Sequence, residues 1–253
     1  MTRATRRVYE TQTRANAAKR ARGRALAAVV AAAIGVAVLA VAISSGNGSA
    51  TAASGGGVSG AAFSASLFAG IQQQGTLLGR ADAPVRLVEF ADLQCPYCDE
   101  YAVQALPVLV RDYVRTGELA LQFENLSFIG PDSVAAGRVA AAAGRQNRLW
   151  NFVDLMYLNQ GAENSGYVTP AYLRRLLGAV PRLNVSAALG ASSSSAADAA
   201  LAQANAYASA AGVDATPSFL IGGKSGQLQR FQPGTLTPGP FIAAIGAVLK
   251  GAP

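Results

Sequence analysis

Histidine is missing from all 253 residues, and cysteine occurs only twice. The first absence removes Cys-His and Ser-His nucleophile pairs together with the commonest catalytic metal ligand. Two cysteines without histidine cannot complete the usual tetrahedral zinc site within one chain, so no metal and no bound cofactor is expected. Acid-base work falls to carboxylates, tyrosine or lysine, and redox chemistry is what remains for the two thiols.

Charge is missing as well from Ala25 to Gly79, where no Asp, Glu, Lys or Arg occurs. The net charge of +7 lies entirely before that gap, in Arg3, Arg6, Arg7, Arg14, Lys19, Arg20, Arg22 and Arg24 against Glu10. After residue 24, basic and acidic side chains balance at 13 each, so the bulk charge gives a nucleic-acid groove no support and no nucleic-acid partner is expected. Ala25 to Ile43 has neither charge nor proline and is about 28 Å long as a helix, close to a hydrocarbon core. With basic residues on one side only, it predicts a single transmembrane helix or signal anchor over 25–43. The basic tail 1–24 then stays in the cytoplasm, and everything after Ser44 lies outside it, tied to the cell membrane. Ala50-Thr51-Ala52 has the small-x-small character of a cleavage site, so retention and cleavage both stay open, and both export the domain. Residues 44–75 read as a flexible tether rich in Ser, Gly and Ala, with a short amphipathic lead-in carrying Phe63, Leu67, Phe68 and Ile71.

What is there is concentrated between Val85 and Glu100, VRLVEFADLQCPYCDE. Residues 85–90 favour a strand, and Asp99–Arg115 carries apolar residues at helical spacing, with a kink expected at Pro107. Cys95 and Cys98 therefore sit where a strand hands over to a helix. The unpaired N–H groups and positive dipole end of a helix start favour a thiolate at Cys95. By spacing alone, Cys-x-x-Cys in an exported protein fits a structural staple as well as a redox centre. So small a ring is worth only about 2 kcal/mol of loop-closure entropy, a weak staple where no other cysteine exists. Glu89 shares a strand face with Val85 and Leu87, whereas Arg86 points to the other face. It reads either as an ordinary strand carboxylate or as a buried acid whose raised pKa lets it relay a proton.

Further along, a strand is expected over Leu119–Phe128 and helices over Ser133–Asn147 and Leu149–Leu158. Thr169-Pro170 starts another helix, and Ala196–Ala211 forms one more. Ser218–Ile221 pairs with Gln227–Phe231 as a hairpin, and Pro238–Lys250 closes the chain as a helix. The order is a strand-helix-strand half and a strand-strand-helix half of an α/β fold, with a helical block between them. Spacing alone leaves Thr216-Pro217 as an ordinary trans turn.

Those two halves, with Cys-x-x-Cys at the start of the first helix, resemble a thioredoxin fold. With the inserted helical block, the chain is similar to the exported DsbA-type thiol-disulfide oxidoreductases. The resemblance rests on four features: Leu78-Gly79 with Ala83-Pro84-Val85 and Glu89-Phe90; Cys95-Pro96-Tyr97-Cys98; the position of Glu89; and Gly212-Val213-Asp214-Ala215-Thr216-Pro217-Ser218-Phe219. It covers residues 76–250. It implies a thioredoxin fold with an inserted helical domain, preceded by the transmembrane helix: a core of residues 76–130 and 212–253, and an insertion over 131–211. Cys95 and Cys98 would be the catalytic pair, Pro96 and Tyr97 the rest of the active-site motif, and Glu89 the proton relay. A cis Thr216-Pro217 bond would leave the Thr216 backbone free to pair with an extended substrate. The implied substrates are exported proteins with cysteine thiols, oxidised by dithiol-disulfide exchange. Reoxidation would fall to a quinone-linked membrane partner of the DsbB or vitamin K epoxide reductase-like type. Many strongly oxidising members carry histidine where this chain has Tyr97, so a less depressed Cys95 pKa and a less oxidising disulfide are expected here. Reductase or isomerase action, and a non-catalytic peptide-binding module, are the alternative readings.

Overall fold

A computed structural model describes residues 57–223 and 227–251. The expected basic tail, the run 25–43 and most of the tether lie outside the described residues. Among the described residues, no helix is long and apolar enough to cross a membrane.

The described chain enters through helix α1 (Ala61–Leu67), then strands β1 (Gln73–Gln74), β2 (Leu77–Leu78) and β3 (Val85–Ala91). Helices α2 (Pro96–Gln104) and α3 (Leu106–Leu109) and a π-helical turn at Val110–Val114 lead to β4 (Leu119–Asn125). Helices α4 (Pro131–Gly144), α5 (Leu149–Leu158), α6 (Pro170–Ala179), α7 (Val185–Ser192) and α8 (Ser195–Ala210) follow. Strands β5 (Ser218–Gly223) and β6 (Gln229–Phe231) and helix α9 (Pro238–Leu249) complete it. The strands form a six-stranded sheet in the order β1-β2-β4-β3-β5-β6. β3 is parallel to β4 and antiparallel to β5, which places Glu89 level with both Phe123 and Phe219.

β3 is an apolar run because both its faces are covered. Val85, Leu87 and Ala91 join the main core with α2, α5 and α9, while Val88 and Phe90 pack with Ala204, Ala208, Val213 and Leu220 on the opposite face. Ala204 and Ala208 belong to α8, which therefore closes the second face of the sheet. The helical block expected over 131–211 accordingly divides, and its last helix serves the thioredoxin-like core.

Other boundaries shift for local reasons. The helix expected over Asp99–Arg115 breaks at Ala105 and restarts with Pro107 in the first turn of α3, where its missing N–H costs nothing. The strand expected to reach Phe128 stops at Asn125, because the Phe128 and Ile129 N–H groups turn to donate to the Asp92 carboxylate. The lead-in is more structured than a flexible tether to residue 75. α1 buries Ser64 and Phe68 and leaves Phe63 48% exposed, and β1 and β2 extend the sheet. Gly79 returns this segment to the core at φ +95, where a Cβ would press on the Leu119 carbonyl at 3.0 Å. Thr169 caps α6 as expected, its Oγ1 accepting from the Tyr172 N–H at 3.1 Å.

Candidate active site

Cys95 is the N-cap of α2, with extended backbone (φ −70, ψ 122), and Pro96 fills the first helical position. The Cys98 and Asp99 N–H groups donate to the Cys95 carbonyl at 3.1 and 3.2 Å. The Cys95 Sγ therefore sits over the helix start and lies 3.5 Å from the Thr216 carbonyl oxygen. The Thr216-Pro217 bond is cis, so β5 enters directly beside the cysteines.

The two thiols are free and strongly unlike. Cys95 is lowered from 9.0 to about 6, first by the hydrogen bond from the Cys98 thiol, with Thr216 and the Cys98 and Tyr97 N–H groups overcoming the cost of burial. Cys98 is fully buried and pushed well above 9.0 by desolvation, then by Cys95 and Glu89. One thiol of the pair is thus a nucleophile at neutral pH and the other a reservoir of bound proton. Glu89 is only 3% exposed, on the strand beneath them, with its Oε1 lacking a hydrogen-bond partner. Burial and then the Cys95 charge raise it from 4.5 to about 8. It is thus a carboxylic acid at neutral pH, and its charge acts on Cys98.

Tyr97 is 63% exposed and lines an open groove of about 360 Å³. Pro217, Phe231 and Leu236 supply its apolar wall, and Asp214 and Arg230 supply charges of opposite sign. The structure thus brings Cys95, Pro96, Tyr97, Cys98, Glu89, Thr216 and Pro217 to one place. The groove lies between Tyr97 and the cis-proline loop.

Residues 72–232 match the family model described as thioredoxin. The chain belongs to the thioredoxin family. Among curated relatives, a probable disulfide bond formation protein D of Bacillus cereus is 38% identical over 94 residues, covering 36% of this chain and 44% of that protein. Disulfide bond formation protein D of Bacillus subtilis is 31% identical over 103 residues, 38% of this chain and 45% of that protein. The chain spans under half the length of these relatives. Oxidised BdbD from Bacillus subtilis superposes with a TM-score of 0.62 at 20% identity, over 71% of this chain and 97% of that one. Chlamydia trachomatis DsbA superposes at 0.58 and 20% identity, over 70% and 90%. This thioredoxin-family chain therefore has the fold of DsbA-type structures.

Several positioning residues of this family member were not singled out from its sequence. Asp92 is fully buried, and its Oδ1 accepts from the Gln94 N–H at 2.9 Å and the Ser133 hydroxyl at 2.6 Å. Its Oδ2 accepts from the Phe128 and Ile129 N–H groups at 3.0 and 3.1 Å. Gln160, just past α5, donates to the Leu93 and Cys95 carbonyls at 3.1 and 3.2 Å. Gln94 donates to Ser133 at 2.8 Å and accepts from the Asn164 N–H at 2.7 Å. The inserted helices thereby hold the loop that delivers Cys95. Two polar residues, Asp92 and Gln94, in an apolar approach to the cysteines were the available signal. Gln160, 65 residues beyond Cys95, carried none.

Glu89 also makes stability depend on pH. Its folded pKa lies above its unfolded one, so the stability it contributes is fully present below pH 4.5 and is lost as pH rises through about 8. Cys95 runs the other way: its contribution is present above pH 9 and is lost as pH falls through about 6. Glu89→Gln retains Cys95 and should remove only the first dependence. Compared with the parent at each pH, the reduced variant should gain stability progressively from pH 5 to 8, on the order of a few kcal/mol. Urea midpoints across that range measure it, and a difference independent of pH would contradict the burial argument.

Proposed function

We propose that the chain is a disulfide-forming oxidoreductase of exported proteins, acting through Cys95 and Cys98. The observation that carries this reading is the inequality of the two thiols: an N-cap Cys95 beside the cis-proline loop, and a Cys98 sealed beneath it. In the oxidised protein, a substrate thiolate attacks the Cys95 Sγ and the Cys95–Cys98 bond breaks. Cys98 leaves with the electron pair and takes a proton from Glu89. A second substrate thiolate then attacks its own sulfur in the mixed disulfide and releases the stabilised Cys95 thiolate. The substrate has lost two electrons and the protein has gained them.

The Thr216 backbone and the groove beside Tyr97 suit an extended cysteine-containing segment. Delivery of the domain across the membrane by the 25–43 segment, retained as an anchor, and reoxidation by a quinone-linked membrane protein complete the proposal. The names of the Bacillus relatives agree with the oxidising direction.

Cys98→Ala tests the reading directly. Without the partner thiol, an adduct on Cys95 cannot be resolved internally. The variant, expressed with its N-terminal segment in the native host, should accumulate mixed disulfides that reducing agent releases. Adducts to exported cysteine proteins support disulfide exchange through Cys95. An adduct-free Cys98→Ala protein would leave the fold as a peptide-binding platform with an inert cysteine pair.

A further inference from the structure

Glu89 is buried beneath the cysteines, and among the described residues no cation is paired with it. The titratable groups electrostatically linked to it are Cys95 and Cys98, Tyr101 on α2 and Tyr157 on α5. Its neighbours across the sheet, Phe123 on β4 and Phe219 on β5, are aromatic, as is Phe241 of α9 packed on Phe219. No lysine or arginine belongs to this set. When Glu89 gives its proton to the Cys98 thiolate, the carboxylate left behind needs a hydrogen-bond donor, because a buried unpaired charge is expensive.

Two buried tyrosines feel the Glu89 charge, and the structure separates them. The Tyr157 hydroxyl already donates to the Asp92 carbonyl at 3.3 Å. The Tyr101 hydroxyl is fully buried and has no hydrogen-bond partner among the described residues, and neither does the Glu89 Oε1. Tyr101 lies three residues beyond Cys98 on α2. Its ring packs on Phe219 at 4.9 Å and on Phe241 at 5.1 Å, and Phe219 is the register partner of Glu89. The ring is therefore held against the strand pair that carries the acid. An unpaired buried hydroxyl is costly in a resting core. Its retention against the strand pair that carries Glu89 makes sense if the bond forms during turnover.

We infer that Tyr101 is the positioning residue of the Glu89 proton, its hydroxyl donating to the carboxylate that forms each time the acid protonates Cys98. The assignment rests on the exchange chemistry proposed above and deepens it. In the forward step the Glu89 proton moves to the Cys98 Sγ as the disulfide bond breaks, and Tyr101 keeps its own proton while sharing it with the carboxylate. In the reverse step the carboxylate takes the proton from Cys98, the thiolate attacks the mixed disulfide, and the Tyr101 bond is released. The substrate dithiol supplies both electrons and the protein's own disulfide accepts them.

Tyr101→Phe in the full chain preserves the ring contacts and removes only the hydroxyl. Carboxyl 13C titration of Glu89 in the reduced protein should show its midpoint displaced upward by about one pH unit, tenfold in the carboxylate-to-acid ratio. The pH–rate profile for disulfide exchange with a cysteine peptide should shift by the same amount. Glu89→Gln should erase that inflection, and adding Tyr101→Phe to it should change nothing further. An unmoved Glu89 midpoint overturns the inference, as does an equal slowing at every pH with and without Glu89→Gln. If the parent exchanges no disulfides, the proposed function fails, while the Glu89 titration still decides the pairing.

Discussion

Cys95→Ser should reduce dithiol oxidation by the protein to the uncatalysed background. The serine hydroxyl accepts the same N-cap geometry but forms no disulfide, so the loss reports chemistry and not folding. The same variant isolates the thiolate. In the reduced parent, absorbance at 240 nm should titrate with a midpoint near pH 6, set by the Cys98 thiol and by donors from Thr216 and the start of α2. Cys95→Ser should abolish that step, leaving Cys98 protonated through the neutral range because it is sealed from solvent. The physical consequence is directional. A thiolate stabilised only in the reduced protein favours reduction of its disulfide, and so favours oxidation of the substrate. A midpoint at the ordinary thiol value would remove the basis for the oxidising direction. Tyr97 bears on its strength: a 63% exposed phenol supplies no cation to deepen the shift.

Asp92→Ala should be the most destabilising single change at the site, by at least about 3 kcal/mol in urea unfolding. Its carboxylate satisfies three backbone N–H groups and the Ser133 hydroxyl, all in or beside the fully buried loop before Cys95. Truncation leaves the Gln94 N–H and the Ser133 hydroxyl unpaired in the interior, where each costs its desolvation, and takes the acceptor from the half-buried Phe128 and Ile129 N–H groups. Asp92→Asn should recover part of the loss, since one oxygen remains to accept while the amide faces donors. Activity should fall with stability, because Asp92 also accepts, through its carbonyl, the Cys95 N–H at 3.0 Å. A loss below about 1 kcal/mol for Asp92→Ala would mean that solvent replaces the carboxylate and that the loop is not held as described.

The order of elements was legible because β3, β4, α5 and α9 carry their periodicity within single segments. The π-helical turn, the early end of β4 and the two short strands β1 and β2 were not. The last two depend on partners elsewhere in the chain: Asp92 for the end of β4, and the neighbouring strands of the sheet for Gln73–Gln74 and Leu77–Leu78. The lead-in shows the same rule from the other side. Its apolar spacing suggested both Phe63 and Phe68 as packing residues, and Phe68 does pack on Trp150, yet Ser64 takes the inward place of Phe63 because α5 presents the Asn151 carbonyl there.

By itself the sequence determined the thiol chemistry, the strand-to-helix setting of Cys95 and the parity of Glu89. These are local properties: residue type, a three-residue spacing and the alternation of a strand. Only the tertiary structure decided how unequal the two thiols are, which tyrosine is left to serve Glu89, and that the inserted helices grip the active-site loop. Those depend on desolvation and on hydrogen bonds between residues as far apart as Cys95 and Thr216, 121 positions along the chain, and no local pattern encodes such a meeting.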